Sequence, residues 1–193
     1  MRVLYVLNAV GGGASLGIYE MLRTQPAIEA FAVVPGGNVD SIRPLFSDIR
    51  TIPLPTWNIP VEAGWERRAA MTLGQRRRGI GPTSSIQAIR DAIRAWNIDL
   101  VHTGTSLNRT GALAARMSGV PHIWHIKETI GHNNRVQFPL SDAKLIEYIN
   151  HLSDRVVVMS EYIGAIFRQH NTPNLSVIPD GVELTPYVSE QSR

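Results

Sequence analysis

The sequence has 193 residues, 44% of them hydrophobic and 18% charged, which is enough apolar material for one α/β domain with a sizeable core. It contains no cysteine, so disulfides, thiolate zinc sites and a cysteine nucleophile are excluded. The 19 basic and 16 acidic residues give too small a surplus to indicate nucleic acid as a partner. Most of the basic residues are arginine, which favours bidentate contacts with phosphate or carboxylate.

The N-terminal stretch "MRVLYVLNAV" is apolar except for Arg2 and Asn8. Because Asn8 interrupts it, the run is too short for a signal peptide, and a buried strand followed by a glycine turn explains it better. No other run approaches the length of about 18 apolar residues that a membrane span needs. We therefore expect a cytoplasmic protein.

Short apolar runs alternate with helical patterns along the chain. The predicted strands are residues 3–7, 31–34, 51–54, 100–102, 122–126, 156–159 and 176–178. The predicted helices are residues 15–24, 84–96, 106–119, 141–152 and 161–170. Several strands are apolar on both faces, as a doubly covered parallel sheet requires. The pattern predicts an α/β fold with a Rossmann-like, open, mainly parallel sheet and helices on both faces.

Residues 55–82 interrupt this alternation, because they form an irregular stretch too long for an ordinary connection. The stretch is rich in tryptophan and arginine, and its candidate binding residues are Trp57, Trp65, Arg76, Arg77 and Arg78. Two interpretations remain open. The tryptophans pack on the domain while the arginines are solvated, or the segment binds an acceptor or an anionic membrane surface.

The first predicted strand is followed by "GGGASLG". Glycines allow the backbone to approach a ligand, and the helix that follows presents N–H groups to an anion. The candidate ligands of a diphosphate are Gly11, Gly12, Gly13 and Ser15. A tight strand-to-helix turn is the alternative. The stretch is a poor dinucleotide fingerprint, because Leu16 replaces the third glycine and the second strand ends at Pro35 without an acidic residue.

Histidines stand near the ends of the fourth and fifth predicted strands. His122 and His125 are three apart, so they point to opposite faces and do not form a zinc pair; we predict no metal site. His125 lies near the carboxyl end, where parallel sheets bind ligands, with Trp124 on the opposite face. A satisfied core histidine is the alternative, and His122 is interpreted as structural or surface.

Other polar residues follow the predicted strands at the same edge of the sheet. The candidate substrate contacts are His102, Thr103, Lys127, Glu128, Ser160 and Glu161. For Lys127 and Glu128, a solvated ion pair is an equally good interpretation.

Five motifs occur in order along nearly the whole chain: "GGGAS", "DLVHTGTS", "GVPHIWHIKE", "DRVVVMSEYI" and "SVIPDGVEL". Together they resemble the N-terminal half of a bacterial glycosyltransferase of the GT-B fold, in family four. The resemblance implies that Gly12 and Gly13 face a donor diphosphate and that His125 approaches the donor sugar. It also implies that "VIPDGV" is the hinge to a second domain, with Asp180 where the family has asparagine.

The resemblance further implies an acceptor-side domain at residues 1–181, a linker starting at 182–193, and a donor-binding domain absent from this chain. That domain holds two glutamates with seven residues between them, and no pair in this sequence has that spacing.

The implied reaction is sugar transfer with retention from a UDP- or GDP-linked donor, without a further cofactor. The implied acceptor is lipid-linked or a saccharide, in cell-surface polysaccharide or glycolipid synthesis, with the enzyme peripheral at the inner face of the membrane. A fragment of this kind is expected to be inactive alone. An oxidoreductase nucleotide-binding domain and a non-catalytic interaction domain remain the alternatives.

Overall fold

The computed structural model describes residues 1–59, 64–66, 69–71, 73, 83–130 and 136–181. Its strands are β1 (Arg2–Val6), β2 (Glu29–Val34), β3 (Asp48–Thr51), β4 (Leu100–Thr103), β5 (His122–Ile126), β6 (Arg155–Val158) and β7 (Leu175–Val177). Its α-helices are α1 (Gly13–Arg23), α2 (Thr83–Ala95), α3 (Thr110–Ser118), α4 (Asp142–Leu152) and α5 (Glu161–Gln169). Short 3₁₀ turns cover Val39–Ser41 and Arg43–Leu45.

The seven strands form one parallel sheet in the order β3-β2-β1-β4-β5-β6-β7. Helix α1 and the 3₁₀ turns pack on one face, around Tyr5, Ile18 and Phe46. Helices α2 to α5 pack on the other face, around Val101, Trp124 and neighbouring aliphatic residues. The predicted fold class, a Rossmann-like sheet covered on both faces, is confirmed.

The order of the strands reverses between β1 and β4. The chain leaving β1 enters α1 on one face, whereas the chain leaving β4 enters α3 on the other face. The two loops therefore separate at the carboxyl ends of β1 and β4 and leave a crevice between them. Ligands of open α/β sheets bind at such a switch point.

The third strand lies earlier than the sequence predicts, at Asp48–Thr51 instead of residues 51–54. Its position is set by pairing with β2, while the buried Ile52 and Leu54 only follow it. β3 is an edge strand, so charged residues are accepted: Asp48 takes a hydrogen bond from the Trp96 indole at 3.1 Å, and Arg50 lies over the same ring. Hydrophobicity alone therefore misplaces this strand.

Helix α3 begins at Thr110, four residues after the predicted start at Ser106. Ser106 was expected to cap the helix, but its hydroxyl and its amide both donate to the Glu128 carboxylate. The local capping rule predicts that Ser106 caps the helix, but its side chain binds Glu128, which is distant in the sequence. Gly119 ends the helix in the left-handed conformation, with φ of 67°, as predicted.

Candidate functional site

The loop after β1 opens toward solvent at the start of α1. Gly12 has φ of 98°, and its carbonyl accepts from the amides of Ser15 and Leu16 at 3.1 and 3.2 Å. Helical hydrogen bonding therefore starts at Ser15, and the amides of Gly13 and Ala14 precede it. A Cβ added at Gly11, Gly12 or Gly13 would meet nothing within 4 Å, so the space beside this loop is open.

Ser15 shapes this loop from below. Its side chain is buried, and its hydroxyl donates to the Ala9 carbonyl at 2.7 Å. The glycine loop and the loop after β4 enclose a cavity of about 170 Å³, with Glu128 in its wall. The structure thus brings the four predicted diphosphate ligands together, with Ser15 engaged inside the loop.

The loop after β4 is held by hydrogen bonds on nearly every residue. The Glu128 carboxylate accepts from the Thr105 hydroxyl at 2.5 Å, from the Ser106 amide at 2.7 Å and from the Ser106 hydroxyl at 2.6 Å. The Trp124 indole donates to the Thr105 carbonyl at 2.8 Å, and the Trp57 indole donates to the Ser106 carbonyl at 2.7 Å. Glu128 is therefore not half of a solvated pair with Lys127; its charge fixes this loop.

His102 and His125 lie on the α1 face of the sheet. Their rings stack with centroids 5.4 Å apart, and Tyr5 packs on His102. The Nε2 atoms of both histidines are buried without a hydrogen-bond partner among the described residues. His125 also lines a cavity of about 550 Å³ between α1 and residues 178–181. His125 thus lines this cavity, and its unpartnered Nε2 lies buried beside it.

Burial governs the protonation of these histidines. It lowers the pKa of His125 from 6.5 to about 4, with a smaller contribution from the Lys127 charge. Burial also lowers the pKa of His102 to about 3, helped by the charges of His125 and Lys127. Both imidazoles are therefore neutral near pH 7 and act as hydrogen-bonding groups.

Lys127 is buried at the end of β5, with only 4% of its side chain exposed. Its ammonium forms an ion pair with the Asp180 carboxylate, which comes from the chain after β7 and is 22% exposed. The solvated ion pair considered for Lys127 is therefore wrong. Its ammonium was predicted to contact the substrate directly, but in this structure it contacts the Asp180 carboxylate.

Thr103 and His122 lie on the opposite face of the sheet from His125. Thr103 is fully buried, and its hydroxyl lies 2.8 Å from Nε2 of His122. Burial lowers the pKa of His122 to about 3. His122 is thus a buried histidine on the face opposite His125. Thr103 ends β4, but its side chain is buried in the same contact and is not exposed at the crevice.

Ser160 and Glu161 lie at the start of α5. The Ser160 hydroxyl caps the helix by accepting from the Ile163 amide at 3.4 Å, and Glu161 forms an exposed ion pair with Arg168 at 2.8 Å. These contacts are local, and the two residues do not join the cluster around His125.

The two tryptophans of residues 55–82 have different environments. Trp57 is 3% exposed and packs against Phe138, Tyr148 and the Arg109 guanidinium, so its indole lies in the core of this structure. Trp65 is 78% exposed. Arg76, Arg77 and Arg78 lie outside the described residues.

Sequence reasoning missed Asp180 as a partner of Lys127, and Thr105 and Ser106 as partners of Glu128. Asp180 did carry a signal, since a carboxylate where the resembled motif has an amide indicates a basic partner. Thr105 and Ser106 carried none, because their partner is more than twenty residues away. Among the described residues, no group of three or more potential ligands could hold a metal ion, and no helix is long and apolar enough to cross a membrane.

Several solved structures share this fold. HepE from Anabaena, crystallised with UDP, has a TM-score of 0.67 and 16% identity, and the match covers 99% of this chain and 47% of HepE. MurG from Acinetobacter baumannii has a TM-score of 0.54 and 14% identity over 95% of this chain and 47% of MurG. The UDP-GlcNAc 2-epimerase of Neisseria meningitidis, bound to UDP-GlcNAc, has a TM-score of 0.54 and 12% identity over 92% of this chain and 45% of the epimerase. The chain thus spans less than half of each.

Curated protein sequences gave no match to this chain. The sequence model of one protein family, described as Glycosyltransferase Family 4, matches residues 44–185. This match runs from β3 through β7 and includes His125, Lys127 and Asp180. Because it covers well over half of the sequence, the chain belongs to Glycosyltransferase Family 4.

Proposed function

We propose that this chain is the acceptor-side half of a glycosyltransferase that transfers a sugar from a nucleotide-sugar donor with retention of configuration. The observation that carries the proposal is the pairing of an open glycine loop with a buried, neutral His125 at the ligand edge of a family-four chain. Proteins of this fold include an epimerase, so the fold alone leaves the reaction open. Family membership supports transfer over the oxidoreductase and interaction-domain alternatives.

A second domain is part of the proposal. HepE, which binds UDP, is about twice as long as the part that matches this chain. We assign the nucleotide base and ribose to a donor-binding domain beyond residues 1–181, with the linker beginning at 182–193. The purified chain is then expected to show no transfer by itself. Robust turnover by these 193 residues would contradict this division of labour.

The glycine loop is proposed to face the donor diphosphate. The amides of Gly13 and Ala14 precede the first helical hydrogen bond of α1, and the helix dipole adds partial positive charge at the same point. When the bond between sugar and diphosphate breaks, negative charge grows on the leaving diphosphate. Amides that are already oriented stabilise this charge without reorganising.

His125 is proposed to act on the donor sugar. Because burial lowers the pKa of His125 to about 4, the ring at neutral pH is an uncharged donor or acceptor. Its stack on His102 fixes the plane of the ring. Such a ring can hydrogen-bond to a sugar hydroxyl, and that contact strengthens as positive charge develops on the sugar ring.

HepE crystals with UDP and with UDP-glucose support a UDP-linked donor over a GDP-linked one. For the acceptor we propose a lipid-linked or saccharide substrate of cell-surface polysaccharide or glycolipid synthesis, met at the cytoplasmic face of the membrane. The exposed indole of Trp65 and the charges of Arg76, Arg77 and Arg78 suit an anionic surface. Flotation with anionic and neutral vesicles tests this: Trp65→Ala and arginine-to-alanine variants should lose binding to the anionic vesicles only.

Replacing His125 tests the proposed reaction. In the complete enzyme, His125→Ala should lower turnover of a radiolabelled UDP-sugar by about 10²–10³, or about 2.7–4 kcal/mol of barrier, because one oriented group is lost. The melting temperature should also fall, because the ring is buried and stacks on His102. His122→Ala is the matched control, since it lies on the other face of the same strand; it should cost stability and far less turnover. Intact turnover in His125→Ala would make the histidine incidental.

A further inference from the structure

We infer that Lys127 and Asp180 are a positioning pair, which holds the chain leaving β7 against the end of β5 and against α1, around the side chain of His125. Lys127 directly follows β5, and Asp180 lies three residues after β7. The ion pair between them therefore joins two strand ends that are not neighbours in the sheet. The role differs from the contact with substrate considered for Lys127.

Helix α1 supplies the third side of this contact. A Cβ added at Gly17 would lie 2.7 Å from both Cγ and Oδ1 of Asp180, well inside van der Waals distance. Gly17 is in the interior of α1, where glycine is unfavourable for a helix. The missing side chain thus makes room for the Asp180 carboxylate, which sits between the helix and the Lys127 ammonium.

Burial makes the pair different from the other ion pairs among the described residues. The Lys127 side chain is almost inaccessible, so losing Asp180 would leave a charge without a partner in a low-dielectric site. The pair of Asp40 and Arg43 is separated by 3.4 Å and is exposed on both sides, so it should contribute little. Asp40→Asn is therefore a matched control for Asp180→Asn.

The pair lies beside His125. The His125 ring stacks on His102 of β4, and the Lys127 charge acts on it from the end of the same strand. Asp180 lines the same cavity as His125, together with Glu20 and Arg23 of α1. Glu20 and Arg23 neutralise each other in an ion pair. Lys127 disfavours protonation of the ring, and Asp180 balances the lysine. Changing either member should therefore alter the titration of His125 in a direction that depends on the member changed.

NMR titration of the 193-residue chain tests this electrostatic role and needs no turnover. Lys127→Met removes a positive charge, so the pKa of His125 should rise above its value of about 4. Asp180→Asn leaves the lysine unbalanced, so the pKa should fall below that value. Asp40→Asn should not change it. A rise toward 6.5 in both Lys127→Met and Asp180→Asn would indicate general loosening and would overturn the inference.

Thermal unfolding tests the geometry. Lys127→Met and Asp180→Asn should each lower the melting temperature by about 4–10 °C, because one charge loses its partner. Gly17→Ala should lower it in the wild type, but in an Asp180→Ala background it should raise it by about 2–4 °C, since the collision is gone and helix propensity remains. The same sign in both backgrounds would show that Gly17 does not serve Asp180.

The kinetic consequence rests on the proposed function, whereas the titration and unfolding experiments do not. In the complete enzyme, Lys127→Met and Asp180→Asn should lower kcat more than they raise the donor KM. A large rise in donor KM for Lys127→Met, without a fall in kcat, would make the lysine a direct phosphate ligand and overturn the inference. Absence of transfer in the wild type would refute the proposed reaction while the two other experiments still decide the pair.

Discussion

The loops after β1 and β4 lie side by side at the same edge of the sheet and are built in opposite ways. In the loop after β4, the side chains of Thr105 and Ser106 and two of the carbonyls have long-range partners. In the loop after β1, three successive glycines have no neighbour within 4 Å of where a side chain would begin. The loop after β4 is thus fixed by hydrogen bonds on its side of the crevice, whereas the loop after β1 exposes its backbone to open space.

This difference indicates a division of labour. A loop whose polar groups are already satisfied by the protein has little to offer a ligand, but it holds its position. A loop of exposed backbone amides has little to hold it in place except the helix that follows, yet it can approach a ligand closely. We therefore expect substitutions in the loop after β4 to act mainly on stability and substitutions in the loop after β1 to act mainly on binding.

The largest effect is expected for Trp57, which supports the loop after β4. Trp57→Ala removes a buried indole that packs on Phe138 and Tyr148 and donates to the Ser106 carbonyl. The free energy of unfolding should fall by about 3–5 kcal/mol in urea denaturation, because a large cavity opens. Trp65→Ala is the control, and its exposed side chain should change stability by less than about 0.5 kcal/mol. If both variants lost equally little unfolding free energy, Trp57 would not be a core residue.

A smaller effect is expected for the carboxylate that ties the same loop. Glu128→Gln keeps the size of the side chain but replaces one acceptor oxygen with an amide that cannot accept from Thr105 or Ser106. Unfolding free energy should fall by about 1.5–3 kcal/mol. Hydrogen exchange at the Ser106 amide should become faster through local opening, whereas the amides of β5 should become faster only as far as global stability falls. An unchanged Ser106 amide would mean that the tryptophans alone hold the loop.

The fold followed from the sequence to a larger extent than the site did. Alternating apolar runs and helical periods are local signals, and they located the parallel sheet, with β3 displaced because pairing and not hydrophobicity sets an edge strand. The predicted ligand edge followed in turn from topology, and the roles proposed for Gly12 and His125 depend on it. The partners of Lys127 and Glu128 depend on contacts between residues 22 to 53 positions apart, which no local pattern encodes.

The smallest effects on stability separate the glycines of the loop after β1. Gly12 has φ of 98° and ψ of 163°, a region that only glycine occupies readily, so Gly12→Ala should cost about 1–2 kcal/mol of unfolding free energy. Gly11 has no positive φ, so Gly11→Ala should change stability by less than about 0.5 kcal/mol. Its new methyl group would nevertheless enter the open space proposed for the diphosphate. UDP affinity of the complete enzyme, measured by calorimetry, should then fall about tenfold, or 1.4 kcal/mol, without loss of stability. Unchanged UDP affinity in Gly11→Ala would show that the diphosphate does not bind next to this residue. The glycines would then be needed only for the turn into α1.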